Sequence, residues 1–208
     1  MIRAILGGTF DPIHWGHLRP AQQVQQLLQA QLHLMPSAQP PHRDYPGATA
    51  TQRLTMAQLA ATALDHCVAE DWELNQARPS YTAQTLAELK QRWPQDALVF
   101  LCGADAFASL HRWHQWQHLF DHANWVVMQR PHSQVTFNAT VTKVLAERQI
   151  TQLDQFIQQP QGAIYLAPTT AVDISATAIR TAIQQQQAWQ HWVPASVAHY
   201  IEQQQLYR

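Results

Sequence analysis

Two kinds of hydrophobic run alternate along the chain. Residues 2–6 carry Ile2, Ala4, Ile5 and Leu6 and stop at Gly7-Gly8, which predicts a short buried strand. Residues 17–31 carry Leu18, Ala21, Val24, Leu27 and Leu28 at helical spacing, with Pro20 placed in the first turn, where its missing N–H costs little. A second strand is predicted over 32–35, stopped by Pro36, and a helix over 52–64. Between them, 37–50 is polar and proline-rich and reads as a long loop. A further strand is predicted over 67–74, and Ser80-Tyr81-Thr82 precedes a helix running through Leu86, Leu89 and Trp93 to Pro94. Unbroken apolar runs predict strands over 98–101 (ending at Gly103), 125–128 and 164–166. The C-terminal part reads as helical, with Ser175 or Thr177 starting one segment and Pro194 another.

Strands alternating with helices imply an α/β fold, a doubly wound parallel sheet covered on both faces. No composition shift or internal repeat divides the chain, so 1–208 is expected to be a single domain with a C-terminal helical part. Ligands of such sheets bind at the carboxyl ends of the strands. That rule reduces the candidate site to residues 7–17, 36–43, 103–105, Arg130 and 169–180.

Composition narrows the chemistry. Hydrophobic residues make up 46% of the 208, an ordinary globular share, and the net charge is −1, so no basic footprint points to nucleic acid. No run approaches the roughly 20 apolar residues of a membrane span. The first residues lack a signal-peptide pattern, and a cytoplasmic location is expected. Cys102 lies in an apolar run, so Cys67 and Cys102 read as reduced thiols rather than a disulfide. The 12 histidines are mostly scattered. His111, His114, His118 and His122 recur at helical spacing, but without zinc-type ligand spacing or HExxH, so no protein-held metal is expected. The short glutamine runs, 184–187 and 203–205, read as solvated helix faces.

The most informative stretch is GGTFDPIHWGH, residues 7–17. Gly7 and Gly8 permit a sharp turn and a close approach of backbone N–H groups to a ligand. His17 falls near a helix start, whose free N–H groups suit a phosphate, and His14 lies three positions earlier with Gly16 between. Both rings can therefore donate to one anion whose charge builds during a reaction. The stretch is neither GxGxxG nor GxxxxGK[ST], which excludes a dehydrogenase fingerprint and a P-loop.

This stretch resembles the signature of the HxGH nucleotidylyltransferases, in the GGTFDPxHxGH form typical of bacterial nicotinate-nucleotide adenylyltransferases. ISATAIR (174–180) is similar to that family's ISxTxIR, and further matching blocks occur at PPHR (40–43), PSYTAQTL (79–86), GADAF (103–107) and the Trp113/Trp116 pair. The resemblance implies a Rossmann-like fold and transfer of AMP from ATP to nicotinate mononucleotide, with magnesium arriving on the triphosphate. It implies that His14 and His17 act on the ATP phosphates, and that Gly7, Gly8, Thr9, Phe10, Gly103, Asp105, Arg130, Ser175, Thr177 and Arg180 bind ATP. Ser37, His42, Arg43, Thr82 and Trp113 would then hold nicotinate mononucleotide, with Trp113 stacked on the pyridine ring and the helix start at Thr82 receiving the carboxylate.

Three positions depart from the family pattern: Ser37 and Ala38 where many relatives carry asparagines, and His114 where an aromatic is common. The readings set against this one are adenylyl transfer to nicotinamide mononucleotide or phosphopantetheine, a nucleotide-binding module without catalysis, and a histidine-rich metal protein.

Overall fold

The computed structural model describes residues 1–38, 47–76, 78–129, 135–170 and 172–208. Among the described residues six strands form one sheet: β1 (Ile2–Gly8), β2 (Gln31–Pro36), β3 (Cys67–Ala69), β4 (Ala97–Gly103), β5 (Asn124–Gln129) and β6 (Ile164–Pro168). Their order is β3-β2-β1-β4-β5-β6, which is doubly wound and reverses after β1. The ladders β1–β4, β4–β5 and β5–β6 are parallel, with Ala4 opposite Val99, Leu101 opposite Val126 and Val127 opposite Leu166. The helices are α1 (Trp15–Leu28), α2 (Ala50–Ala61), α3 (Thr82–Arg92), α4 (Ala104–Ala108), α5 (Ala139–Arg148), α6 (Leu153–Ile157), α7 (Ala176–Gln184) and α8 (Ala195–Gln203).

The residues group into two compact units. The first holds 1–6, 23–32 and 81–171, and the second 7–22, 33–80 and 172–208. Trp125 anchors the first. It is fully buried, its ring lies 4.7 Å from Phe100 and 5.5 Å from Phe120, and its indole N–H donates to the Leu119 carbonyl at 3.0 Å. A large aromatic is tolerated there because its polar edge is satisfied. In the second unit, Ile13, Leu18, Met56, Ala57, Ile179, Val197 and Ile201 are buried, and Ser196 Oγ on α8 donates to the Leu59 carbonyl on α2.

Several boundaries differ from the sequence reading, each for a local reason. Helix α1 starts at Trp15, so Pro20 lies in the second turn and cannot donate to the Gly16 carbonyl. Helix α2 starts two residues early because Thr49 and Gln52 close a capping box, with Gln52 N–H on Thr49 Oγ1 and Thr49 N–H on Gln52 Oε1. The expected strand over 67–74 stops at Ala69, and Trp72–Asn75 forms a 3₁₀ turn. The histidines from His111 to His122 do not share one helix: 3₁₀ turns at Leu110–Arg112 and Trp116–Phe120 are separated by Gln115 at φ 52°. Cys67 and Cys102 are both free thiols.

Candidate active site

The chain leaves β1 at Gly8 and folds back on itself within a few residues. Phe10 adopts φ 53°, a left-handed conformation that a bulky residue takes only under constraint. Its ring then lies over Gly8, where a Cβ would stand 2.7 Å from Phe10 Cε1. This turn delivers His14 to the N-terminal side of α1 and His17 to its first turn. The two imidazoles stack with centroids 3.7 Å apart and planes inclined at 26°, and Phe10 packs against the edge of His17 at 5.3 Å. His14 is buried, with 4% exposure, while His17 is half-buried. The His17 and Leu18 N–H groups both donate to the His14 carbonyl.

Gly16 explains why the HxGH spacing demands glycine. A Cβ there would lie 2.8 Å from His14 Nδ1 and 2.8 Å from the Ile174 carbonyl. The backbone just before α7 therefore approaches the histidine turn closely. Ser175 caps α7, accepting from the Ala178 N–H at 3.1 Å, and both Ser175 and Thr177 are exposed. Arg180, one turn on, donates to the Asp11 carbonyl at 2.7 Å and to Thr177 Oγ1 at 3.4 Å. With its side chain 32% exposed, its guanidinium is held from behind and still reaches outward.

Asp11 organises the underside of the turn. Its carboxylate accepts from the Gly47 and Ala48 N–H groups at 2.8 and 3.0 Å and from the Tyr207 hydroxyl at 2.8 Å, and Arg180 Nη1 lies 3.7 Å away. Burial, and next the Asp11 charge, push the Tyr207 phenol well above its ordinary range, so it remains a donor at any working pH. Arg53, in the first turn of α2, is buried with 1% exposure and donates to the carbonyls of Thr9, Ser37 and Ala38. Its pKa is lowered, first by burial, with the charge of Asp11 opposing the shift.

Gly7, Gly8, Thr9, Phe10, His14, His17, Ser37, Ser175, Thr177 and Arg180 thus fall in the second unit, most of them joined through this set of contacts. Thr82, Gly103, Asp105 and Trp113 belong to the first unit. Thr82 opens α3, which has no side-chain cap at Tyr81. The Tyr81 ring lies 4.2 Å from that of His114. Trp113 is half-buried and edge-on to Phe100 at 6.3 Å. Gly103 precedes α4 with open space around the position of a Cβ, and Asp105 is exposed in the first turn of that helix. His42, Arg43 and Arg130 lie outside the described residues.

Sequence reasoning gave no role to Asp11, Arg53 or Tyr207. Asp11 lies inside the quoted motif, but nothing in a linear pattern links it to residue 207. Arg53 sits in a polar-looking Gln52-Arg53 pair that reads as solvent-facing. The chemistry available is anion binding by imidazoles, guanidinium, hydroxyls and helix N–H groups. Burial pushes the Cys67 thiol up to about 12 and raises that of Cys102 as well, so neither is an activated nucleophile. Among the described residues, no three or more His, Cys, Asp or Glu are grouped to hold a metal, and no helix is long and apolar enough to cross a membrane.

Comparison with known proteins agrees with this geometry. The cytidylyltransferase-like family model matches residues 5–182. A protein of Idiomarina loihiensis named "Probable nicotinate-nucleotide adenylyltransferase" is 46% identical over 211 residues, covering 100% of both chains. One of the same name from Aeromonas hydrophila is 42% identical over 205 residues, covering 98% of this chain and 96% of its own. Among solved structures, the Plasmodium falciparum nicotinic acid mononucleotide adenylyltransferase complexed with NaAD superposes with a TM-score of 0.76 at 16% identity, over 99% of this chain and 97% of that one. At that identity the likeness establishes the Rossmann-like fold.

Proposed function

The chain belongs to the nicotinate-nucleotide adenylyltransferases of the cytidylyltransferase-like family, and from that premise we propose that it transfers AMP from ATP to nicotinate mononucleotide, giving nicotinate adenine dinucleotide and pyrophosphate. The observation that carries this reading is the stacked His14–His17 pair beside the Ser175 cap of α7, with Arg180 anchored on the Asp11 carbonyl. An oxygen of the acceptor's phosphate attacks the α-phosphorus of ATP, the bond to the β-phosphate's bridging oxygen breaks, and pyrophosphate leaves. The substrate supplies the nucleophile, so the protein's work is positioning and charge stabilisation.

In this reading His14 and His17 donate to the reacting phosphates, while Gly7, Gly8, Thr9 and Phe10 line the nucleotide through their backbone. Ser175, Thr177 and Arg180 hold the β- and γ-phosphates; the Ser175 hydroxyl accepts from α7 and can still donate its own proton outward. Gly103 and Asp105 receive the ribose, with Arg130 toward the nucleotide. For the acceptor, Trp113 stacks on the pyridine ring, His42 and Arg43 meet the phosphate, and Ser37 hydrogen-bonds. The start of α3 at Thr82 takes the nicotinate carboxylate, supported by the lack of a side-chain cap there. Mg²⁺ enters as the companion of ATP, since the donor set around His14 and His17 is built for anions and Mg²⁺ on a triphosphate keeps several waters. We take 1–208 as one nucleotidyltransferase domain working in the cytoplasm.

The test is pyrophosphate release from Mg²⁺-ATP with nicotinate mononucleotide, nicotinamide mononucleotide and phosphopantetheine offered in parallel. Strong release with the first and far less with the second is expected. Equal release from the two mononucleotides would remove the carboxylate role of α3. Release with phosphopantetheine alone would reassign the acceptor, and release with none of the three would leave a nucleotide-binding module.

A further inference from the structure

Arg53 poses a physical problem that the site described above does not absorb. A guanidinium with 1% exposure has lost its water, and although the Asp11 charge favours its ionised form, its hydrogen bonds among the described residues all go to backbone carbonyls. A buried charge of this kind is a poor source of stability unless its donors are satisfied, and apolar residues of similar size often serve as well. Here the donors are used in a particular way. Nη1 donates at 2.7 Å to both the Thr9 and the Ser37 carbonyls, and Nη2 donates at 3.0 Å to the Ala38 carbonyl, while Nε has no hydrogen-bond partner among the described residues.

Those three carbonyls lie where the strands stop. Ser37 N–H still donates to the Gly8 carbonyl at 2.9 Å, and one residue further along each chain the guanidinium takes over from the ladder. Thr9 opens the turn that carries Phe10 and the two histidines. Ser37 and Ala38 follow β2, and the Ala38 N–H is held in turn by Ser80 Oγ at 3.0 Å. One planar group therefore fixes the separation between a segment assigned to the nucleotide and a segment assigned to the acceptor. A lysine could supply the charge but not the rigid fork.

We propose that Arg53 is a positioning residue for the transfer step, setting the spacing between the Thr9 turn and the Ser37–Ala38 segment so that acceptor phosphate and α-phosphorus meet in line. This inference rests on the adenylyl-transfer reading. Reacting atoms must lie about 3–3.5 Å apart for a near-attack geometry, and a displacement of about 1 Å costs on the order of 100-fold in rate. Loss of Arg53 should therefore appear in kcat more than in the binding of either substrate.

The experiment compares wild type, Arg53→Met and Arg53→Lys by thermal melting, by calorimetric titration with ATP alone, and by kcat and KM for ATP and nicotinate mononucleotide. The expected result is a folded Arg53→Met enzyme with full ATP stoichiometry, KM values and ATP affinity within about threefold of wild type, and kcat lower by about 100-fold. Arg53→Lys should fall between, at about tenfold, because it keeps the charge and loses the fork. If Arg53→Met does not fold, Arg53→Lys decides on the same terms. A kcat per ATP-binding molecule within threefold of wild type overturns the proposal, as does failure of both variants to fold, which would make the residue purely structural. An inactive wild type defeats the adenylyl-transfer reading itself, a result separate from insensitive variants of an active enzyme.

Discussion

Of the two histidines expected to donate to the reacting phosphates, His17 is the more exposed, and its removal is the cleanest residue-level test. A donor aimed at charge that develops in the transition state contributes about 3–4 kcal/mol, so His17→Asn should lower kcat by roughly 10²–10³-fold with little change in melting temperature. Tyr207 tests a different link, from sequence to stability. Its hydroxyl is one of the donors that hold the Asp11 carboxylate. Tyr207→Phe should cost about 1–3 kcal/mol in a denaturant titration, because a buried acceptor loses a partner. The phenol's raised pKa also fixes a sign. Above the unfolded value of about 10 the folded state keeps a proton that the unfolded state has lost, so stability falls as pH rises past that point. Wild type should therefore lose stability above about pH 10 more steeply than Tyr207→Phe. At this scale the histidines, Ser175 and Arg180 were legible as candidates because the motifs place them in sequence, and the structure brings them together in one unit. Asp11, Arg53 and Tyr207 were not, because their roles exist only once residues 44 and 196 positions apart are in contact.

The elements carry their own test in Gly16. On a helix, alanine normally exceeds glycine by about 0.5–1 kcal/mol. At Gly16 that preference should reverse, because the added Cβ would stand 2.8 Å from a backbone carbonyl that cannot swing aside. Gly16→Ala should melt lower than wild type and lose at least tenfold in kcat, through displacement of α7's N-terminal side from the histidine turn. At the other end of β1, Arg3 Nε donates to Asp96 Oδ2 at 2.6 Å, just before β4. That bond is the main cause of Asp96 titrating below its ordinary range. The stability it adds is present above about pH 4 and is lost as pH falls through the lowered value, so the acid limb of an Asp96→Asn stability profile should be shallower than wild type's. Strands β1, β4, β5 and β6 were readable as short apolar runs, since strands buried on both faces need no alternation. Helix α5 was not foreseen: its buried Val141, Val144 and Leu145 do follow helical spacing, but β-branched residues weaken the local propensity. Glu70 and Asp71 interrupt the apolar run that Val68 begins, so the strand ends at Ala69 rather than at Leu74.

For the whole molecule, periodicity and the Gly7-Gly8 turn were enough to predict the doubly wound sheet and to mark the carboxyl end of β1 as the candidate phosphate site, and the strand order is the one expected. What periodicity could not supply was the acceptor, which came from family resemblance: the residues proposed to recognise nicotinate are a few loop positions and one helix start, and these carry no periodic signal. The central claim is that the acceptor's own phosphate oxygen attacks the α-phosphorus of ATP while the protein only positions and stabilises. The most direct measurement uses nicotinate mononucleotide carrying ¹⁸O in its phosphate, with Mg²⁺-ATP and the wild-type protein, and reads both products by mass spectrometry. The expected products are nicotinate adenine dinucleotide that retains every ¹⁸O of the acceptor, and pyrophosphate that contains none. Label in the pyrophosphate, or no dinucleotide at all, would contradict that claim.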